Sequence, residues 1–332
     1  MMTPAFSGAI KQGSNVKVIS IGTMAVSALV RSRKWQVLSR FKNSFYCCDN
    51  EKNIVCIGRE MIGKGPFTVL CSSESVWPDS AVWDTRYLWM RKNQLLLEGV
   101  GVTFDLQGAS AWKKSLGTML YSNGHLGKDL QFLVAMAAAD APPESLGYLI
   151  PHFFPLEISR TSTELSKLTN SIHKRFLDVI DEVRPQTIFL NTRSVDNLFA
   201  GMLEQLIGLG PGLTPSGDDF LAGVIMGLYK TGRMADAQYL ANHLYRAASN
   251  KTTRVSLAFY RALTEGLVTE PFSKLLEIIG SGETELLAIA LKQTARMGAT
   301  SGWDTLAGIL FGICLVFPGS HVVPNYIAEA AC

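Results

Sequence analysis

Charge is scarce in this chain. Only 18% of its 332 residues are charged, against about 25% in an average globular protein. The formal net charge is +3, with no cluster of lysine and arginine dense enough for a nucleic-acid face. Residues 31 to 64 hold Arg31, Arg33, Lys34, Arg40, Lys42, Lys52, Arg59 and Lys64 against few acids, a pattern ordinary for a solvated sheet face. Hydrophobic residues make up 47%, too many for a disordered chain. Long apolar runs are nevertheless missing. Val16 to Val30 is interrupted by Lys17, and Leu306 to Phe317 ends in Phe317-Pro318-Gly319; a spanning helix needs about 20 apolar residues. The six cysteines (Cys47, Cys48, Cys56, Cys71, Cys314, Cys332) form no C-x-x-C pair, which excludes a finger-type zinc site. The five histidines (His125, His152, His173, His243, His321) have no ligand spacing. No secretory leader is evident, so a cytoplasmic protein with reduced thiols is expected.

The remaining pattern divides the chain. Up to about residue 104 the apolar residues come in short runs: Val16 to Ile21, parts of Trp35 to Tyr46, Asn53 to Ile57, Phe67 to Cys71 and Leu95 to Phe104. Such runs, bounded by turn formers, predict a mostly antiparallel sheet or small barrel. Trp112 to Ala139 reads as two helical stretches broken at Ser122-Asn123-Gly124. Prolines at 142, 143, 151 and 155 suggest a boundary, giving domains 1–150 and 151–332. Beyond it Leu165, Leu168, Ile172, Phe176 and Ile180 recur at helical spacing, as do Leu198, Met202, Leu203, Leu206 and Ile207. Further helices are predicted near 218–230, 233–249, 253–267, 271–280, 284–297 and 303–316. The fold class expected is α+β, a β domain followed by an all-α bundle.

One segment carries chemistry: Gly208-Leu-Gly-Pro-Gly-Leu-Thr-Pro-Ser-Gly-Asp-Asp219. It is neither a dinucleotide fingerprint, since Leu213 replaces the third glycine, nor a Walker loop, since it has no lysine. Ser216 or Thr214 is placed to cap a helix starting near Asp218. Gly210, Gly212 and Gly217 let the main chain approach a ligand, and free N–H groups at the helix start suit an anion. Ser216-Gly217-Asp218-Asp219-Phe220-Leu221-Ala222-Gly223 recurs as Ser301-Gly302-Trp303-Asp304-Thr305-Leu306-Ala307-Gly308, at a constant offset of 85 that also relates Gly227 to Gly312. If the two helices pack side by side with one polarity, Asp218, Asp219 and Asp304 converge. Converging carboxylates hold Mg²⁺ or act as bases with raised pKa; the alternative is a duplication kept for packing. Thr252-Thr253-Arg254-Val255-Ser256 opens another helix, and Arg254 is suited to pair an anion.

Gly208 to Gly223, with Thr253-Arg-Val-Ser256 and Gly298-Ala-Thr-Ser-Gly-Trp-Asp304, resembles the AllH family over roughly residues 90 to 317. The resemblance implies a subunit of a bacterial oxamate carbamoyltransferase, which cleaves oxalurate with phosphate to oxamate and carbamoyl phosphate in anaerobic allantoin and purine breakdown. It implies partner subunits of FdrA type and AllG type, and neither nucleic acid nor membrane. The site expected is then Asp218, Asp219 and Asp304 as catalytic groups. Gly210, Gly212, Thr214, Ser216, Gly217, Thr253, Arg254, Ser301 and Gly302 hold the anions, with Mg²⁺ as the possible cofactor. The Ser-x-Arg-Thr-Arg loop of ordinary carbamoyltransferases is absent, Asn191-Thr-Arg-Ser194 being a poor match. A structural or regulatory subunit, and a Mg²⁺-dependent hydrolase of a small phosphate compound, remain the alternatives.

Overall fold

The computed structural model describes residues 15–78, 85–99, 101–116, 123–153, 170–190 and 194–317. Two compact units divide at Lys113/Lys114, so the expected boundary at residue 150 falls inside the second. The prolines that suggested it sit in a helical unit that has already begun. Leu126, Leu130, Leu133, Val134 and Ala137, upstream of Pro142, belong to the helical core.

The first unit is a closed barrel. Its strands are β1 (Asn15–Gly22), β2 (Lys34–Arg40), β3 (Ser44–Cys48), β4 (Ile54–Arg59), β5 (Thr68–Cys71), β6 (Tyr87–Arg91), β7 (Gln94–Leu97), β8 (Val102–Asp105) and β9 (Ser110–Trp112). They run in the order β5-β4-β3-β2-β6-β7-β8-β1-β9, and β1 also pairs with β5. That pairing closes eight strands and leaves β9 beside β1. Most pairs are antiparallel; β1–β8, β1–β9 and β4–β5 are parallel. Alternate residues build the core: Val16 and Val18, Phe45 and Cys47, Val55 and Ile57, Val69 and Cys71, Leu95 and Leu97, Val102 and Phe104 are all fully buried. Closure removes sheet edges, and period-two burial is what a barrel interior demands. Helix α1 (Thr23–Arg31) follows β1 directly. It was hidden in the apolar run that also contains β1.

The second unit is helical. Its elements are α2 (Asn123–Asp140), a 3₁₀ turn at Leu146–Leu149, α3 (Ile150–Phe153), α4 (Ser171–Leu190) and α5 (Asn197–Leu203). They continue as α6 (Ser216–Lys230), α7 (Met234–Ala247), α8 (Arg254–Thr264), α9 (Glu270–Ile278), α10 (Thr284–Ala295) and α11 (Ser301–Cys314). No helix begins at Trp112, and residues 117–122 lie outside the described residues. Residues 110–112 are strand, Ser115 bridges to Leu267, and helix is described from Asn123 on. Leu165, Leu168, Pro155, Asn191, Arg193, His321 and Cys332 lie outside the described residues. Cys47, Cys48, Cys56, Cys71 and Cys314 are free thiols. No described helix is long and apolar enough to cross a membrane.

Helices α6 and α11 form the centre of this unit. Fourteen of the fifteen residues of α6 are buried, which explains the apolar, charge-poor sequence: a helix covered on every side has no polar stripe. Glycines bring the pair into backbone contact. A Cβ added at Gly223 would lie 2.1 Å from Thr305 O, and one at Gly308 would lie 1.9 Å from Phe220 O. One turn on, Gly227 faces Ile309 O and Gly312 faces Val224 O, each at 2.5 Å. Every contact is matched by its counterpart 85 residues away, so the two copies pack reciprocally and run parallel. Their N-termini lie together.

Candidate functional site

The two helix starts are built alike. Gly217 N–H donates to Leu209 O at 2.8 Å, and Gly302 N–H donates to Met297 O at 3.0 Å. Each start is preceded by a left-handed glycine, Gly210 (φ 112°) and Gly298 (φ 67°), whose missing Cβ makes room for Ser216 and Ser301 respectively. The first connection is three residues longer, and the extra length forms the loop Gly210 to Pro215. Among the described residues no hydrogen bond leaves the N–H of Gly210, Gly212, Leu213 or Thr214. Gly212 is exposed with φ 98° and open space at its Cβ position.

Several expected roles shift. The cap of α6 is Pro215, without a side-chain bond, so neither Ser216 nor Thr214 caps it. Thr214 Oγ1 instead meets Ser301 Oγ at 2.9 Å, tying the loop to the start of α11. The N–H groups of Gly217 and Gly302 are not available to a ligand, because loop carbonyls take them. Both glycines serve close packing: a Cβ would lie 2.0 Å from Leu206 O at Gly217 and 2.0 Å from Thr294 O at Gly302. The N–H groups of Asp218 and Asp219 donate to Pro215 O, and those of Trp303 and Asp304 to Thr300 O.

The three carboxylates do not act as one group. Asp218 Oδ1 accepts from Tyr260 Oη at 2.9 Å and from Gly208 N–H at 3.2 Å, and Oδ2 accepts from Thr252 Oγ1. Burial pushes its pKa up against these bonds. Asp218 thus fastens the loop to α8 and to the connection before it. Thr253 acts beside it, capping α8 through Ser256 N–H while its hydroxyl donates to Leu213 O. Arg254, the first residue of α8, is exposed.

Asp219 and Asp304, equivalent in the repeat, face each other's helix. The hydroxyls of Ser301 and Thr214 lie beside Asp219, and those of Ser216 and Thr300 beside Asp304, where they favour the ionised form. Asp304 Oδ1 also accepts from Leu146 N–H at 2.6 Å. Each carboxyl keeps one oxygen, Oδ2, that is shielded from solvent and without a partner. Asp304 is fully buried; Asp219 is partly exposed as a residue. Burial raises Asp304 to about 6. Burial and the Asp304 charge hold Asp219 well above the ordinary carboxylate range. Burial and like charge both oppose ionisation of the pair, so it holds its first proton more tightly than an ordinary carboxyl does. Among the described residues no three His, Cys, Asp or Glu side chains are grouped to hold a metal, which removes the geometric support for Mg²⁺ at Asp218, Asp219 and Asp304.

This arrangement occupies a segment with relatives. Residues 206–313 match the AllH family, described as oxamate carbamoyltransferase subunit AllH. The match spans the loop, both repeated helices and everything between them. No solved structure matches the chain.

Thr252 is visible in the sequence only as part of a helix start, and the sequence gives no sign of Tyr260 or Leu146 as members of this site. Tyr260 reads as one apolar position of α8, and Leu146 contributes a main-chain group, which leaves no residue-type signal.

Proposed function

We propose that this chain is the oxamate carbamoyltransferase subunit that binds the small anions of the reaction, at the loop 210–216 and the start of α11. The carrying observation is the row of unused main-chain N–H groups at Gly210, Gly212, Leu213 and Thr214, next to two buried carboxyls whose pKa values are raised. Left-handed glycines such as Gly210 and Gly212 free the main chain of a loop to turn N–H groups toward phosphate or carboxylate oxygens. A protonated Asp219 does not repel an anion there; an ionised one would.

The reaction is phosphorolysis of oxalurate. An oxygen of hydrogen phosphate bonds to the carbamoyl carbon, the bond from that carbon to the amide nitrogen breaks, the nitrogen takes a proton as oxamate leaves, and the proton of the phosphate restores the donor. The loop N–H groups bind phosphate and offset charge on the transferring group. The Asp219–Asp304 pair supplies the proton to the departing nitrogen, with the hydroxyls of Ser216, Thr214 and Ser301 holding the carboxyls in place. Arg254 offers a positive charge on the loop side of α8. FdrA-type and AllG-type partners, a role in anaerobic allantoin and purine breakdown, and a cytoplasmic location go with this reading.

A second reading has its own support: Gly217 and Gly302 serve packing, so the repeat could be a purely structural core for assembly. The two are separated by co-expressing the chain with its partner subunits and measuring oxalurate phosphorolysis. Asp219→Asn should lower turnover by about 10²-fold or more with the complex intact. Unchanged turnover overturns the catalytic reading, and loss of co-purification alone favours the structural one.

A further inference from the structure

His173 lies in the first turn of α4, is fully buried, and stacks on Tyr148 with ring centroids 6.4 Å apart. Its Nε2 lies 3.1 Å from Ser145 O, whereas Nδ1 is buried without a partner. The next atoms along the chain matter most. The carbonyl that His173 meets and the N–H that Asp304 Oδ1 accepts at 2.6 Å belong to one peptide group, Ser145–Leu146. Ser145 is itself fully buried, and its hydroxyl donates to Pro142 O at 2.8 Å, so the peptide is held in place. Gly147 presses on Trp303, where an added Cβ would lie 2.7 Å from the Trp303 Cβ. The strand of chain that carries the peptide is thereby seated on the start of α11.

We infer that His173 is a positioning residue for Asp304, acting through the Ser145–Leu146 peptide as a hydrogen-bond relay. A donor on the carbonyl oxygen draws electron density from the amide and makes its N–H a stronger donor, the cooperativity expected of chained hydrogen bonds in a dry interior. The relay fixes the tautomer: Nε2 carries the proton and Nδ1 is bare. Burial holds the His173 pKa down, against the Ser145 and Glu144 carbonyls that favour its charged form; a neutral ring is what the relay uses. Asp304 gains a donor that favours its ionised form, against burial and the charge of Glu144, with Asp219 facing it from α6. The catalytic weight of the relay rests on the proposed role of the Asp219–Asp304 pair; the relay itself does not.

The test is nuclear magnetic resonance on the full chain, which reads no turnover. Nitrogen shifts of the His173 ring should show the Nε2–H tautomer, with titration displaced below that of an exposed histidine. A proton on Nδ1 overturns the relay, even if no variant folds. Carboxyl carbon shifts, assigned with Asp304→Asn, should place the Asp304 titration about half a unit higher in His173→Phe, which keeps the stacking on Tyr148 but has no donor. His173→Gln, whose amide N–H replaces Nε2–H, should restore it. An Asp304 titration identical in His173→Phe and the parent chain overturns the inference. If the relay holds but Asp304→Asn keeps full turnover in the complex, the proposed function falls alone.

Discussion

Gly223 and Gly308 face each other across the centre of the helical unit, each occupying the space that the other's side chain would need. A Cβ on either would lie 2.9 Å from the other's Cα and near 2 Å from a carbonyl oxygen of the opposing helix. Backbone cannot swing aside as a flexible side chain does. Gly223→Ala and Gly308→Ala should each destabilise the protein by about 3 kcal/mol, the upper range for overpacking. Gly127 is the control: it lies inside α2 with open space around it, so Gly127→Ala should stabilise by about 0.5–1 kcal/mol. Urea unfolding followed by circular dichroism reads all three. Equal effects at 127 and 223 would show that helix propensity, and not the close approach, sets the outcome.

The Asp304 carboxyl makes stability depend on pH in the less usual direction. Its folded pKa of about 6 lies above the ordinary 3.8, so the folded state holds its proton longer than the unfolded one. The penalty is absent below about pH 4, grows as pH rises, and is complete above about pH 6. Two pKa units correspond to about 3 kcal/mol. Asp304→Asn, neutral at every pH, should remove that slope: similar to the parent at pH 4 and more stable at pH 7.5. Melting temperatures across pH 4 to 8 measure it. A parent chain that gains stability from pH 4 to 7 by as much as its Asp304→Asn variant would overturn the assignment.

Much of this centre was legible beforehand because it rests on identity and spacing. The offset of 85 relates residues whose identities match, and reciprocal packing follows once both copies are helices with glycines on one face. The barrel strands were visible where period two held, as at Val16 and Val18. Strand β6, with Trp89 and Met90 adjacent, and β9, with three residues, offered too little alternation. What could not be read was the use of hydrogen bonds. Whether the N–H of Gly217 meets a ligand or Leu209 O depends on how a loop closes. The partners of Asp218 come from 34 and 42 residues away. His173 shows only a lack of ligand spacing in the sequence, because its partner is a main-chain carbonyl, which leaves no trace in residue type.

Tyr260 and Thr252 share one carboxylate, and their losses should not add. Tyr260→Phe and Thr252→Val each remove a donor to Asp218 and should cost about 1–2 kcal/mol. The double variant should cost less than the two together, because after either loss Asp218 is easier to protonate. Because Asp218 also anchors Gly208 N–H, both variants should speed proteolytic cleavage within residues 208–215. Denaturant titration gives the energies, and limited proteolysis followed by mass spectrometry gives the cut position. Strict additivity with an uncut loop would show that Asp218 does not fasten it.

The loop N–H groups make the most direct demand on the functional reading. Inorganic phosphate bound there stabilises the folded chain by mass action, so at about 100 times its Kd it should add about 2.7 kcal/mol. Pro211 cannot donate, which leaves Gly210, Gly212, Leu213 and Thr214 to hold the oxygens. Gly212→Ala places a side chain at φ 98°, a conformation that L-residues avoid. It should cost about 1 kcal/mol of stability and at least tenfold in phosphate affinity. Gly108→Ala is the comparison, since Gly108 is equally left-handed (φ 78°) with nothing near its Cβ position but lies in the barrel unit. It should cost similar stability and leave phosphate binding unchanged. Thermal shift against phosphate, with chloride at matched ionic strength, separates a built site from charge screening. A chain whose melting temperature responds alike to both salts has no anion site in this loop.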